Sequence, residues 1–83
     1  MDKNKFRSSA AWKHKRAEIL KRDHNTCKIC CNKEGLQVHH IYSLDTHWQL
    51  RLDDSNLITL CEHCHHAAHN AIYNPVFLLN KIK

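Results

Sequence analysis

The stretch Asn56–His69, NLITLCEHCHHAAH, decides how this chain is read. It holds an Asn, a Cys-x-x-Cys pair (Cys61 and Cys64), and His65 with His69 one helical turn apart. An i,i+4 pair shares one face of a helix, so both imidazoles can aim at one point. The leading run Leu57–Leu60 is apolar and short, as a buried strand is. A helix is expected to follow, from Glu62 or Cys64 to Ala71. One segment thus offers sulfur ligands in its middle and nitrogen ligands at its end, and each set needs partners from elsewhere.

For the sulfurs the partners are Cys27 and Cys30 in CKICC. Two Cys-x-x-Cys pairs in a small chain point to one tetrahedral zinc bound by Cys27, Cys30, Cys61 and Cys64. Cys31 could replace Cys30 in a Cys-x-x-x-Cys pair, and His63 or His66 could enter a mixed site; the matching spacing of the second pair favours Cys30. A closed four-thiolate site has no open position, so it is structural. Such a staple is needed. Of the 83 residues, 42 % are hydrophobic, but many of these are Ala and Cys, which leaves a thin core for a single domain. The odd cysteine count and the lack of an apolar N-terminal run argue against a secreted disulfide framework and for a reducing, cytoplasmic setting. The longest apolar stretch, Val76–Leu79, is too short to span a bilayer.

Outward from these ligands, the chain reads as one domain over 1–83 without repeats. MDKNKFR (1–7) is a basic tail, ordered only if Phe6 finds a pocket. Ser8 or Ser9 can cap a helix running to about Arg22, with Trp12, Ile19 and Leu20 on its inner stripe. NKEG (32–35) is a turn in which Gly35 is free to take positive φ, and Leu36–Ile41 is a strand. The connection 42–55 is long for a small domain; Trp48, Leu50 and Leu52 alternate, so part of it is expected to lie extended against the core. Ala68 and Ile72 mark a packing face of the following helix. The core is expected over about 8–72. Asn74 and Pro75 then cap a final helix, about 75–82, whose apolar residues cover the core.

The histidines need a partner set as well, and His39 and His40 are the candidates. Strict strand alternation places them on opposite faces, so both serve one site only if the strand ends or distorts there. A divalent ion at a phosphate neutralises charge in the transition state. Hydrolysis also needs a base, and histidine titrates near neutral pH. A side-chain amide such as that of Asn56 can orient that base. Thirteen basic against eight acidic side chains give +5, a balance that suits a polyanionic partner. Lys13, Lys15, Lys21, Arg22 and Arg51 are candidates for gripping phosphates. His47 reads as a surface histidine, and His63 and His66 as surface or zinc-site residues.

Taken together, VHHI at 38–41, Asn56 in SNLITLC, and CEHCHHAAH at 61–69 resemble the HNH endonuclease family, with its ββα-metal (His-Me finger) site. SSAAWKHKRAEILKRDHNTCKIC is similar to the leader of small phage and bacterial members, so the resemblance covers about residues 8–70. It implies a small α+β fold: a ββα-metal, treble-clef-like core with a structural four-cysteine zinc and flanking N- and C-terminal helices. It implies that His40 is the general base and that Asn56 holds the base and the metal-bearing loop in place. His39 and His65 would bind the catalytic ion; His69 would be a third ligand or a neighbour of the metal. The implied activity is DNA endonuclease, hydrolysing phosphodiester bonds to 5′-phosphate and 3′-hydroxyl ends with Mg²⁺, Mn²⁺, Ni²⁺ or a similar ion. RNA is a further substrate to consider. No dedicated base-reading module is present, so weak sequence preference is expected. Family context adds phage packaging (terminase) proteins as partners. The competing reading is a non-catalytic treble-clef zinc module that binds nucleic acid or protein. A degenerate member of that kind would lose His40 or Asn56, and both are present.

Overall fold

In the computed structural model, which describes residues 3–82, Leu57–Cys61 forms a strand with every residue buried. This strand, β2, pairs antiparallel with β1, Leu36–His40, in a register running from Leu36 opposite Cys61 to His40 opposite Leu57. Those two strands form the sheet seen among the described residues. Because β2 is apolar on both faces, each face needs a cover. One is packed by Phe6, Trp12, Ile19 and Leu44 around Leu57. The other is packed by Cys27, Ile41, Cys64 and Leu78 around Ile58 and Leu60. The helices α1 (Lys3–Arg7) and α2 (Ala10–Arg22) supply the first cover. The helices α3 (Glu62–His69) and α4 (Pro75–Lys81) contribute to the second.

A two-stranded sheet leaves β2 with one unpaired edge, whose backbone groups must find other partners. The turn after α2 provides them. Asp23, 4 % exposed, accepts from Thr59 N–H at 3.1 Å, and Lys28 N–H donates to the Thr59 carbonyl at 3.0 Å. Arg22 Nη2 donates to the Leu57 carbonyl at 2.7 Å and to Asp23 at 2.9 Å, while its Nε donates to Asp23 at 2.8 Å. The end of α2 is thereby bolted to the strand that leads into the ligand-bearing helix.

The expected caps are in place. Ser9 accepts from Trp12 N–H at 3.1 Å, worth about 1 kcal/mol to α2. Asn74 accepts from Phe77 N–H at 2.8 Å, with Pro75 opening α4. Gly35 takes φ +61°, as the turn requires.

Residues 3–7 are ordered as a helix, and the pocket that Phe6 needed is there: it is buried against Trp12 at 5.3 Å and Trp48 at 5.5 Å. Two expectations are corrected. The Trp48–Leu52 segment is not extended: Trp48–Leu50 is a 3₁₀ turn, although Trp48 and Leu52 still reach the core. Ile72 does not pack, being 69 % exposed, since α3 ends at His69 and Ala71 reverses the chain with φ +61°.

Candidate metal centres and the adjoining cavity

The two Cys-x-x-Cys pairs converge. Cys27 and Cys30 come from the loop after α2, Cys61 ends β2 and caps α3, and Cys64 lies in the first turn of that helix. Their sulfurs all lie within 4.8 Å of one another, with Cys30 Sγ and Cys61 Sγ 3.5 Å apart. Zinc bound tetrahedrally at about 2.3 Å holds its sulfurs ~3.8 Å apart, so the four thiols fit a structural metal such as zinc. Cys31 is exposed, adopts φ +67°, and lies outside the cluster. Burial pushes the Cys27 thiol up, but N–H groups of Cys30, Cys61 and Ile29 pull it down further, to about 7. Burial and the neighbouring thiols raise Cys64. Four thiolates cannot crowd together unless a cation balances them, and the N–H groups around Cys27 are arranged to favour the anion.

The histidine cluster forms across β1 and α3. His39 points to the α3 side, where its ring sits 5.2 Å from that of His65 and 5.3 Å from that of His69. The i,i+4 pair is closer still, with Nε2 atoms 3.0 Å apart. One ring nitrogen from each of the three lies within 4.8 Å of the others, close enough to share a divalent ion. Burial, followed by the charges of its two partners, lowers His39 to about 4, and burial with His69 lowers His65. Both rings therefore keep a free lone pair at neutral pH, the form a metal needs.

His40 occupies the opposite face, as strand alternation demands. It is stacked on Trp12 at 4.8 Å with the ring planes 27° apart. Its Nε2 lies 3.0 Å from the Arg51 carbonyl, which can only accept, so Nε2 carries the proton and Nδ1 is bare. Burial lowers the imidazole's pKa, the Arg51 carbonyl partly offsets this, and the charge of Arg7 adds a smaller lowering. The strand needs no distortion for both histidines to serve one site. His40 is the last residue of β1, and His39 and His40 both line one open cavity of about 920 Å³, together with His65 and His69.

Asn56, 3 % exposed, makes no bond to His40 itself. Its Oδ1 accepts from Tyr42 N–H at 2.7 Å, and its Nδ2 donates to the Tyr42 carbonyl at 3.2 Å and the Leu50 carbonyl at 3.4 Å. It thereby draws the two ends of the long connection together and fixes the segment whose next residue, Arg51, holds His40. That relay through a backbone carbonyl has no signature in the sequence.

The five candidate phosphate-gripping residues sit elsewhere. None of Lys13, Lys15, Lys21, Arg22 or Arg51 lines the cavity. Lys15 is paired with Asp54 at 2.6 Å, and Arg22 is committed to Asp23 and two backbone carbonyls. Arg51 bonds the Trp48 carbonyl and lies over the Trp48 ring. The basic residues that do line it are Lys3, Arg7 and Arg16.

A small α+β domain thus carries a four-cysteine cluster and a three-histidine cluster, each of which could hold a metal ion, at the two ends of α3. Residues 26–71 match the HNH endonuclease family, and with more than half of the chain covered, the protein belongs to that family. A comparison with curated proteins finds no significant match, and neither does one with solved structures.

Proposed function

We propose that this protein is a metal-dependent DNA endonuclease that hydrolyses phosphodiester bonds, with His40 as general base. The observation that carries the reading is the hydrogen bond from His40 Nε2–H to the Arg51 carbonyl, which leaves Nδ1 bare on a ring that lines the same cavity as the three-histidine cluster. A base must be unprotonated, oriented and within reach of water. Burial and Arg7 keep the ring neutral, Trp12 and Arg51 orient it, and the cavity is open to solvent. In this mechanism His40 Nδ1 takes the proton from the attacking water. Asn56 positions the loop that positions His40.

His39, His65 and His69 would hold the catalytic ion, which when bound supplies positive charge to the phosphate and its leaving oxygen. All three donors are imidazoles, a set that suits Ni²⁺, Zn²⁺ and similar ions better than Mg²⁺, which prefers oxygen ligands. The four-cysteine cluster would hold a separate, structural zinc that ties the loop after α2 to α3. The treble-clef-like description of that unit, and its action on DNA in place of RNA, are parts of the same reading.

The reading is tested by incubating supercoiled plasmid with the zinc-loaded protein and added Ni²⁺, Mn²⁺ or Mg²⁺. Nicked or linear product is expected, most strongly with Ni²⁺. Intact plasmid with every ion would favour a non-catalytic zinc module.

A further inference from the structure

The cavity at His39 and His40 is lined on one side by α1 and α2, which precede the segment that matches the family. Lys3 and Arg7 are one turn apart on α1, and Trp12 and Arg16 one turn apart on α2, so each helix presents one face to the cavity. A five-residue helix such as α1 has little stability of its own. It is held by Phe6, wedged against Trp12 and Trp48 with the His40 ring 6.0 Å away.

The charges on this wall are not balanced among the described residues. Of the described residues that line the cavity, Asp45 is the one acid, and Lys3 pairs with it at 2.7 Å. Arg7 and Arg16 are exposed, and neither has a carboxylate within ion-pair distance among the described residues. Two exposed guanidinium groups without acidic partners, on the wall of a cavity lined by a candidate base and a candidate metal cluster, fit an anionic ligand. The planar guanidinium fork matches the oxygens of a phosphodiester and holds them in a fixed orientation.

We infer that Arg7 and Arg16 form a phosphate clamp that holds the nucleic-acid backbone in the cavity, with Phe6 as the residue that positions Arg7. The inference rests on the nuclease reading for its ligand, but the clamp concerns binding and can be tested without cleavage. α1 is then an ordered part of the site, built from outside the family's matched segment.

The test is anisotropy of a labelled 20-base-pair duplex with the full, zinc-loaded chain, in a salt series without added second metal. Each lost phosphate contact lowers the slope of log K against log [salt] by about 0.9. The Arg7→Gln/Arg16→Gln double variant is expected to lose about 2 from the slope, and Arg7→Lys/Arg16→Lys to recover most of it. Phe6→Ala should lose about 1. A Lys33→Gln/Lys81→Gln double variant, with the same change in net charge, should keep the wild-type slope. An unchanged slope in the Arg7→Gln/Arg16→Gln protein would overturn the clamp, as would an equal loss in the Lys33→Gln/Lys81→Gln control or absence of duplex binding by the wild type. If the slope falls as expected but no plasmid is cut with any ion, the clamp stands and the nuclease reading fails.

Discussion

His40 Nε2–H donates to the carbonyl oxygen of Arg51 at 3.0 Å, across eleven residues of chain. Since a carbonyl has no proton to give, this single contact sets the tautomer of the ring and leaves the other nitrogen bare. Asn56 bonds both Tyr42 and Leu50, so the amide reaches His40 through the loop and not by touching it.

Replacing Asn56 should therefore cost both stability and catalysis. Asn56→Ala removes three buried hydrogen bonds and is expected to destabilise the domain by about 2–3 kcal/mol. Asn56→Asp keeps the acceptor for Tyr42 N–H but loses both donors. It should leave KM near the wild-type value and lower kcat, because the base is misaimed while the binding wall is intact. Denaturant melts and steady-state cleavage check these two outcomes. Wild-type kcat in both variants would remove Asn56 from the relay.

Loss of the sulfur cluster should be a folding defect. Cys61→Ser breaks the cluster where β2 meets α3, at a residue 1 % exposed. The variant is expected to bind less than one zinc per chain and to lose its secondary structure by circular dichroism, as should the wild type after exhaustive chelation. A folded, zinc-free protein would contradict the structural role.

The histidine cluster should behave in the opposite way. His39→Ala, His65→Ala and His69→Ala are each expected to weaken binding of a second, exchangeable ion by at least tenfold, leaving the tight zinc and the fold unchanged. Calorimetric titration with Ni²⁺ and elemental analysis separate the two ions. If His69→Ala alone binds Ni²⁺ as the wild type does, His69 is a neighbour of the ion and not a ligand.

Asp23 gives the fold a defined acid response. Burial works to raise its carboxyl pKa, but Arg22 and the Thr59 contact outweigh that and hold it below the ordinary value. A carboxylate lowered in the folded state contributes stability that is complete above its unfolded pKa and is lost as pH falls through the folded one. Asp23→Asn should cost about 1–3 kcal/mol at pH 7, the worth of hydrogen bonds to a charged group. The gap between variant and wild type should close as pH drops below about 4, near the unfolded carboxylate value. Urea melts across pH 3–7 measure that gap, and a constant gap would exclude the carboxylate as its source.

Much of the candidate site was legible because its candidate ligands are local. A Cys-x-x-Cys turn and an i,i+4 histidine pair declare their geometry by spacing alone, and the caps at Ser9 and Asn74 declare theirs by residue type. What was not legible depends on distant contacts. Phe6 orders α1 only because Trp12, Trp48 and His40 assemble around it. The alternation of Trp48, Leu50 and Leu52 imitates a strand, but the Asn56 amide holds that loop in a compact turn. Charge is the least directional signal. Nothing local distinguishes Arg22, bonded to Asp23 and to backbone carbonyls, from Arg16, which lines the cavity.

The most direct measurement is the plasmid-cleavage rate of His40→Ala beside the wild type, with zinc content and circular dichroism taken on the same samples. Loss of a general base predicts a fall of roughly 10²–10⁴-fold with the zinc and the fold unchanged. Cleavage at the wild-type rate in a folded, zinc-loaded His40→Ala protein would contradict the assignment of His40 as the base.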